Sequence, residues 1–481
     1  MKSFDHELVS GSVLRSVWKL AWPVIALNLM NGIHGFVDHV LVGHFVASAN
    51  NAANAAIGVA WQVFLVVVVL IASLFHGMNV LVSRYAGRRD RENMSRAAYH
   101  SFLATVWIML GVMAPVGYLL APHLLGLAHA EPEVQAHALP YIRILFTCGM
   151  PIFLMFMFTG AFQASGDAKV PLMLGALATL LNIAISAVLI PGVRPFAVPL
   201  PGIGWALPIP LHIPAMGTSG AALGTVLAPF VSVVIAVTLI LRRKTILQPP
   251  SRFTIVPDFG VLRVVARIGI PAGVQGVALN IGGVALLSFI GSLEDSSAAQ
   301  AAYTICYAQL FSLVTWTGLG LRSAASALMG QNIGAGNTAR GKAAVAMAAK
   351  LGVLWAVVVG VLFWCFPGWL LGLFGATDEP ILGYGRSLLH FLAFSGLALV
   401  AAQALTGGIQ GAGQTVMPMV IAMITQIGVL LSICVFFAAR GELTANRVWG
   451  AILASHLARM ALTYALFRSS RWAHTKVELS E

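Results

Sequence analysis

The sequence has few charged residues. Asp, Glu, Lys and Arg make up 9% of its 481 residues, whereas 59% are hydrophobic and the mean hydropathy is +0.88. Soluble domains carry about 25% charged residues, so this composition excludes a soluble protein. Long apolar runs such as 106–127 and 231–241 instead predict a polytopic helical membrane protein. These runs lack the period-2 alternation of barrel strands.

Cysteine is also scarce. The four cysteines lie in apolar segments and form no C-x-x-C pair, so they predict small hydrophobic side chains rather than disulfides or metal ligands. The glycine-rich segment 331–337, QNIGAGN, lacks the Lys-Ser/Thr of a phosphate-binding loop and is interpreted as a tight turn. We therefore expect a protein that is not an enzyme and that uses neither a cofactor nor a bound metal.

Acidic residues number 16 against 28 Lys and Arg, which gives a net charge of +12. The basic residues cluster in one alternate set of connections, at 84–96, 241–244 and 467–476, whereas the opposite connections hold Arg194, Arg440 and Arg447. By the positive-inside rule this asymmetry predicts a multi-pass protein of the plasma (inner) membrane with both termini cytoplasmic. The same distribution argues against a nucleic-acid partner. We expect small-molecule substrates, lipid contacts and a monomer.

Apolar segments separated by polar or Gly/Pro breaks predict twelve transmembrane helices. Their expected limits are 16–42, 53–82, 97–121, 136–161, 170–190, 217–241, 262–290, 299–328, 343–366, 383–407, 417–439 and 446–467. A Pro-rich segment, 191–217, is the longest external connection, and a basic linker, 242–260, lies at mid-chain.

The chain repeats itself across that linker. TGAFQASGDAKVP at 159–171 aligns with TGGIQGAGQTVMP at 406–418, an offset of 406 − 159 = 247. An internal repeat of this kind indicates a duplication. Each copy holds an even number of spans, so both insert the same way up. We therefore predict an all-α fold of two six-helix lobes, 1–245 and 246–481, related by a pseudo-twofold axis along the membrane normal, which is a transporter architecture.

One carboxylate, Asp38, lies well inside a predicted span, where insertion costs about 2.5 to 3.5 kcal/mol. Asn28, Asn31, Gly35 and Asp38 recur on one helical face, with His34 on an adjacent strip. Such a stripe cannot face lipid and must face the protein interior or a wet cavity. Two roles are open for Asp38. It is either a titrating group that binds a proton or cation, or a structural hydrogen-bonded carboxylate.

Further polar and aromatic residues lie in the predicted spans, and different roles are expected for them. Gln275, Asn280, Tyr303 and Trp316 are candidates for a substrate cavity, where aromatic faces hold cations. The small-residue run at 217–225 predicts close helix packing. His76, His390 and His456 are interpreted as satisfied buried histidines. Basic residues within spans are few, the candidates being Arg143, Arg322, Arg386 and Arg459.

An ordered set of segments in both halves resembles the multidrug and toxic compound extrusion (MATE) transporters. The matching segments are LAWPVIALNLM, FVDHVLVGH, SRYAGRRD, GAFQASGDAKVP, GTSGAALGTV, RIGIPAGVQ, GLRSAASALMGQNIGAGN and GGIQGAGQTVMP. The resemblance implies two lobes in a V and export of amphipathic, often cationic compounds in exchange for H+ or Na+. It also places Asp38, Asn182 and Thr225 in the coupling-ion site of the N-terminal lobe.

The sequence departs from the family pattern at three carboxylate positions. Ser186 stands where many members have a second acidic residue, and the seventh span has Leu279 and Asn280 where sodium-coupled members often carry a glutamate. The tenth span lacks the aspartate of that branch. With one carboxylate remaining, proton coupling through Asp38 is the favoured interpretation. Sodium binding by Asp38, Asn182, Ser186 and Thr225 is the alternative.

Three other functions, those of a flippase, a membrane-embedded enzyme and a channel, fit the sequence less well. A lipid-linked substrate flippase of the same superfamily often has 13 or 14 spans and a strongly basic central cavity, which the predicted twelve spans and few buried basic residues disfavour. A membrane-embedded enzyme needs a clustered catalytic group, and a channel needs a filter ring. Neither pattern is visible in the sequence.

Overall fold

The computed structural model describes residues 4–45, 50–127, 132–192, 196–199, 206–209, 213–376, 378–475 and 477. Within the first span, the side chains of residues 31–40 and 43–45 lie outside this description, although the backbone there is helical.

The described chain is organised as twelve helical rods, called spans here in chain order. The first six, the N-lobe, are Val13–Phe45, Asn50–Arg88, Arg91–Ile108 continued by Met109–Met113 and Ala114–Leu127, Pro132–Cys148 with Met150–Ser165, Lys169–Leu189 and Gly217–Leu241. The last six, the C-lobe, are Phe259–Gly291, Ser296–Tyr303 continued by Thr304–Leu310 and Ser312–Gly334, Thr338–Cys365, Glu379–Gly411, Val416–Met423 continued by Ile424–Leu431 and Ser432–Ala439, and Ala445–Ser469.

Length and composition agree with a membrane location for these rods. Within the described ranges, eleven helices are long and apolar enough to cross a membrane, and the bent fourth span makes twelve. The fourth span turns by 54° between its two helices. Gly149 is the N-cap of the second helix, which begins at Met150, and Pro151 lies in its first turn, where its missing N–H is tolerated but would break a continuous helix.

Smaller elements complete the described chain. Short helices Glu7–Ser10 and Pro367–Gly372 and a 3-10 turn, Arg471–His474, flank or join the spans. In the Pro-rich connection, strands Phe196–Pro199 and Ala206–Ile209 pair antiparallel, with Phe196 opposite Ile209.

The two lobes exchange the beginnings of their first helices. Val17, Leu20 and Ala21 of the first span pack in the hydrophobic core of the C-lobe. In the same way, Val265 and Ile268 of the seventh span pack in the core of the N-lobe. These positions correspond in the sequence repeat, because VLR at 13–15 aligns with VLR at 261–263 at an offset of 248, and 265 − 17 and 268 − 20 both equal 248. The exchange is thus what a pseudo-twofold axis between the lobes requires.

Glycines allow the lobes to approach closely near the end of the bundle that carries both described termini, called the terminal end. A Cβ on Gly87 of the second span would lie 1.9 Å from the carbonyl oxygen of Gln331. Reciprocally, a Cβ on Gly334 of the eighth span would lie 2.0 Å from the carbonyl oxygen of Arg84. Gly87 and Gly334 are related by the offset of 247, so the duplication kept a glycine on both sides of this crossing.

The first and last described segments of the chain cross to the opposite lobe. Leu8 is buried in the C-lobe core, and Val477 is buried in the N-lobe core. Arg340 of the C-lobe donates to the carbonyl oxygens of Gly11 at 2.7 Å and Glu7 at 3.1 Å. Arg84 of the N-lobe donates to the carbonyl oxygen of Val477 at 3.2 Å. The termini therefore join the two lobes at the terminal end.

Candidate functional site

The N-lobe encloses a cavity of about 520 Å³, within the usual size range of small-molecule sites. Its wall is mainly apolar and aromatic, and includes Trp61, Tyr141 and Phe156. Polar groups enter from the first span at Asn28, from the fourth at Thr159 and Gln163 and from the sixth at Thr225. Leu319 and Ser323 of the eighth span line its remaining side and belong to the C-lobe. The cavity therefore lies beside the interface between the lobes.

Beside this cavity, Asn182 and Ser186 of the fifth span are fully buried. Both amide atoms of Asn182 and the hydroxyl oxygen of Ser186 have no hydrogen-bond partner among the described residues. Buried polar atoms are normally paired, since leaving one unpaired costs about 1 to 3 kcal/mol. These three atoms therefore mark a place where a further polar group or ion belongs.

The sixth span holds the fifth closely at this point. A Cβ on Gly224 would lie 2.5 Å from the Ser186 hydroxyl oxygen and 3.3 Å from the Asn182 amide nitrogen. The close packing predicted from the small-residue run at 217–225 is confirmed here. Thr225, the next residue, is buried and donates to the carbonyl oxygen of Ala221 at 3.0 Å, within its own helix. The structure thus brings Asn182, Ser186 and Thr225 into one region of the N-lobe.

The predicted polar face of the first span is only partly described. The backbone at Asn31, His34 and Asp38 is helical, but their side chains lie outside the described residues. Asn28, one turn earlier, lines the N-lobe cavity, and its amide nitrogen lies 3.4 Å from the carbonyl oxygen of Trp316. That contact joins the first span to the eighth span of the other lobe.

The four candidates for a substrate cavity separate into two places. Asn280 and Tyr303 line a second cavity of about 410 Å³ in the C-lobe. Gln275 instead lies where the lobes meet and accepts a hydrogen bond of 2.8 Å from the amide of Gln410. Trp316 contributes its backbone carbonyl to the contact with Asn28. One cavity containing all four does not form.

A series of polar contacts lies at the interface between the lobes. The sequence did not predict these contacts. Gln410 accepts from the Arg322 guanidinium at 2.7 Å. Its repeat partner Gln163 accepts from Ser323 at 2.8 Å. His76, Asn79, Arg322 and Gln410 line a small cavity of about 130 Å³ there. The repeat alignment already paired Gln163 with Gln410, so two polar residues kept in equivalent positions were the available signal.

Two sequence interpretations need revision. The segment 331–337 is more than a turn, because Gln331 donates to the carbonyl oxygen of Ala164 at 2.8 Å and Asn332 donates to that of Leu8 at 3.2 Å, both across the lobes. His456 is buried as expected, but its Nδ1 has no hydrogen-bond partner in the described part of the chain. It is therefore not a satisfied core histidine.

Comparison with known families agrees with this architecture. The sequence model of the family described as MatE matches residues 23–188 and again 271–436. The two matches start 271 − 23 = 248 residues apart, within one residue of the 247-residue offset of the internal repeat.

Curated relatives match over nearly their full length. The chain is 23% identical over 462 residues to "Probable multidrug resistance protein NorM" of Thermotoga maritima, covering 96% of this chain and 93% of that protein. It is 28% identical over 473 residues to the protein of the same name from Rhizobium meliloti, covering 94% and 92%. "Probable multidrug resistance protein YoeA" of Bacillus subtilis is 24% identical over 459 residues, covering 95% and 94%.

Solved structures share the fold. A multidrug resistance MATE family transporter in an outward-facing conformation superposes with a TM-score of 0.85, at 19% identity and with 98% of this chain and 100% of that chain covered. A MOP superfamily transporter from Pyrococcus furiosus, whose binding pocket is said to have reverse polarity, gives a TM-score of 0.84 at 19% identity, with 98% and 100% covered.

Proposed function

The chain belongs to the MatE family, whose members are multidrug transporters rather than enzymes, and from that premise we propose that it exports amphipathic organic compounds, cations among them, in exchange for protons bound at Asp38. The N-lobe cavity receives the compound, since its aromatic wall suits an apolar body and can hold a cation by its ring faces. We further propose an inner-membrane location with both termini cytoplasmic, and two lobes divided near residues 245 and 246.

The unpaired polar atoms of Asn182 and Ser186 carry this proposal. Leu27 of the first span touches the fifth span at Gly175, where a Cβ would lie 2.0 Å from the Leu27 side chain. Both spans run away from the terminal end, and helices rise about 1.5 Å per residue. Asp38 is 38 − 27 = 11 residues beyond Leu27, and Ser186 is 186 − 175 = 11 residues beyond Gly175. We therefore expect Asp38 at the level of the unpaired atoms.

The transport cycle follows from neutralising that carboxylate. A proton arriving from outside removes the charge of Asp38, the first span repacks against Asn182 and Ser186, and the compound leaves the N-lobe cavity. Asn28 links the first span to the C-lobe through Trp316, so this repacking reaches the other lobe. One charge crossing 100 mV supplies about 2.3 kcal/mol and one pH unit about 1.4 kcal/mol. Exchange for a monocation uses only the pH term.

Sodium coupling is the second candidate, because an ion at this place would have oxygen ligands in Asp38, Asn182, Ser186 and Thr225. Sodium prefers several oxygen ligands and keeps Asp38 charged, whereas a proton needs the carboxylate alone. A flippase for lipid-linked substrates remains a weaker third candidate, since the N-lobe cavity carries no Lys or Arg among its described lining residues.

The proposal is tested in vesicles that contain the purified protein. Uptake of fluorescent organic cations and neutral dyes is followed under a pH gradient and, separately, under a sodium gradient. We expect transport on the pH gradient alone, and at least a tenfold loss in Asp38→Asn. Asp378→Asn is the matched control, because this exposed residue makes no side-chain cap to its helix. Normal transport by Asp38→Asn at equal insertion would overturn the coupling site, and transport on sodium alone would overturn proton coupling.

A further inference from the structure

The C-lobe cavity holds a basic group that export of cations does not use. Arg459 of the twelfth span lines this cavity together with Asn280, Gln403 and Gln426. None of the described residues that line it is acidic, and Arg459 has no carboxylate within ion-pair distance in the described chain. Arg459 is half-buried, and even partial withdrawal of a guanidinium from water without a counter-ion costs free energy, so such groups are normally paired.

The guanidinium of Arg459 is fixed in place. Its Nε donates to the Thr425 hydroxyl at 3.2 Å, and one Nη donates to the Gln426 side-chain oxygen at 2.9 Å. Ser455 ties the same two spans together by donating to the carbonyl oxygen of Thr425 at 2.8 Å. A guanidinium has five N–H donors in a planar fork, so donors remain after these two contacts. Arg459 is therefore oriented but not neutralised.

Other features of the cavity wall point to a ligand. The Nδ1 of His456 and the side-chain oxygen of Gln403 are buried without partners among the described residues. The rings of Tyr303 and Tyr307 stack with centroids 4.9 Å apart and form an aromatic part of the wall. The volume of about 410 Å³ is that of a drug-sized site.

The backbone also departs from regular helix here. Tyr307 lies in the π-helical segment Thr304–Leu310, and Gln426 lies in the π-helical segment Ile424–Leu431. Such segments occur often at functional sites, because the extra residue per turn changes which side chains face inward. Two of them border this one cavity from different spans.

We propose that the C-lobe cavity is a binding site for the anionic group of an aromatic organic compound, with Arg459 as its ion partner. A carboxylate or sulfonate accepts from the free edge of the guanidinium in the bidentate geometry that arginine favours. The ring system lies against Tyr303 and Tyr307. This assignment rests on the proposed transport function for its purpose, and it extends the substrates from cations to organic anions.

Binding is measured without any ion gradient, on the full chain in nanodiscs of neutral lipid. The probes are 1-naphthylacetate and 2-(1-naphthyl)ethylammonium, which share a ring system and differ in charge, and equilibrium dialysis gives their affinities. We expect the wild type to bind the anion at least tenfold more tightly than the cation. Arg459→Gln should lose that preference, and Arg459→Lys should keep part of it. Arg440→Gln is the control, since Arg440 follows the eleventh span and stacks on Phe436, away from this cavity.

A second variant tests the cavity without touching the arginine. A Cβ on Gly283, which lines the cavity, meets nothing within 4 Å, so Gly283→Leu should fill the space and abolish anion binding. Gly428 has equally open surroundings but does not line the cavity, and Gly428→Leu should bind normally. Equal affinities for anion and cation in the wild type, or an unchanged preference in Arg459→Gln, would overturn the proposal.

Two further measurements complete the test. One asks whether the bound anion is a lipid headgroup or a soluble compound, and the other tests this site independently of the proposed transport function. Displacement of 1-naphthylacetate by nanodiscs rich in phosphatidylglycerol would assign the same arginine site to a lipid headgroup, whereas no displacement supports a soluble solute. Because the binding assay uses no gradient, anion binding with failed proton-driven transport would retain this site and reject the coupling scheme. The reverse result would reject only this site.

Discussion

At the scale of single residues, Gly224 decides how closely the sixth span can approach the candidate coupling site. Its missing side chain leaves room for the Ser186 hydroxyl and the Asn182 amide. Both neighbours are buried, and Ser186 is on a helix whose backbone lies just behind it, so neither can retreat easily. The arrangement of the unpaired Asn182 and Ser186 atoms thus depends on Gly224, although Gly224 has no side chain to contribute to the site.

A larger residue at this position should disturb both packing and coupling. We expect Gly224→Val to destabilise the protein by about 1 to 3 kcal/mol, because overpacking a filled core costs that much. Proton-driven transport should fall more than dye binding in the N-lobe cavity. Thermal unfolding and vesicle transport measure the two effects. Gly111→Val is the control, as a Cβ there meets nothing within 4 Å, and identical behaviour of the two variants would contradict the packing argument.

The residues proposed for the coupling site could be chosen from the sequence, whereas the surroundings of the C-lobe cavity could not. Asp38 stood out because a carboxylate in a span is costly, and Asn182 and Thr225 came from the family resemblance. Arg459 appeared in the sequence only as one of four basic candidates. A hydropathy pattern does not tell which face of an apolar span meets a cavity, since lipid and protein interior are both apolar. The packing of the eleventh and twelfth spans is what places Arg459 on the wall of a cavity.

At the scale of elements, the linker between the lobes is fastened at the start of the seventh span. Asp258 caps that helix by accepting from the backbone N–H of Gly260 at 2.8 Å. It also accepts from the Arg96 guanidinium at 2.6 Å, which anchors it to the third span. The hydrogen bond from Arg96, with help from the backbone N–H groups, lowers the pKa of the Asp258 carboxyl below its usual value.

Asp258→Ala should therefore destabilise the protein in a pH-dependent way. Loss of an N-cap costs about 1 kcal/mol. Because the pKa is lowered in the folded state, this stabilisation is complete above the unfolded carboxyl's pKa and disappears as pH falls through the lower folded value. Thermal unfolding of variant and wild type should differ at pH 7 and converge on acidification below the ordinary range of aspartate. Glu294→Ala, at an exposed loop residue, should show no such convergence.

The number and order of the spans were predicted well from apolar runs, because every span must cover the bilayer thickness. The bend of the fourth span was missed, although Gly149 and Pro151 were visible within the predicted span 136–161. The π-helical segments have no such marker. They arise where side-chain packing favours one extra residue in a turn, and hydropathy does not record that.

At the scale of the whole molecule, the described contacts between the lobes lie from the middle of the spans to the terminal end. Gly320 packs against Ile25, Gly330 against Ser83, and Gln331 bonds to Ala164. Arg340 and Arg84 then bind the crossed chain ends. If rocking of the lobes opens this end, as expected for alternating access, all of these contacts must break together.

Weakening one crossed end should shift the molecule toward opening at the terminal end. Arg340→Ala removes the bonds to Gly11, Glu7 and Ser16 and leaves the cavities intact. Spin labels at Arg252 in the linker and Ala335 in the C-lobe, both exposed, should report a longer or broader distance distribution than in the wild type. Arg440→Ala, outside these contacts, should not change it. An unaltered distribution in Arg340→Ala would mean that the N-terminal segment does not hold the lobes together.

The crossed chain ends also constrain the order in which the protein can be assembled. The N-lobe lacks Val265, Ile268 and Val477 until the second half of the chain has been synthesised, although its own six spans leave the ribosome first. Leu8, made almost first, is buried in the core of the C-lobe, which is made second. The C-lobe therefore finds Leu8 already present when it is made, whereas the early-inserted N-lobe must wait with part of its core open until the second half of the chain follows. Quality-control proteases would meet that incomplete half in every truncated product.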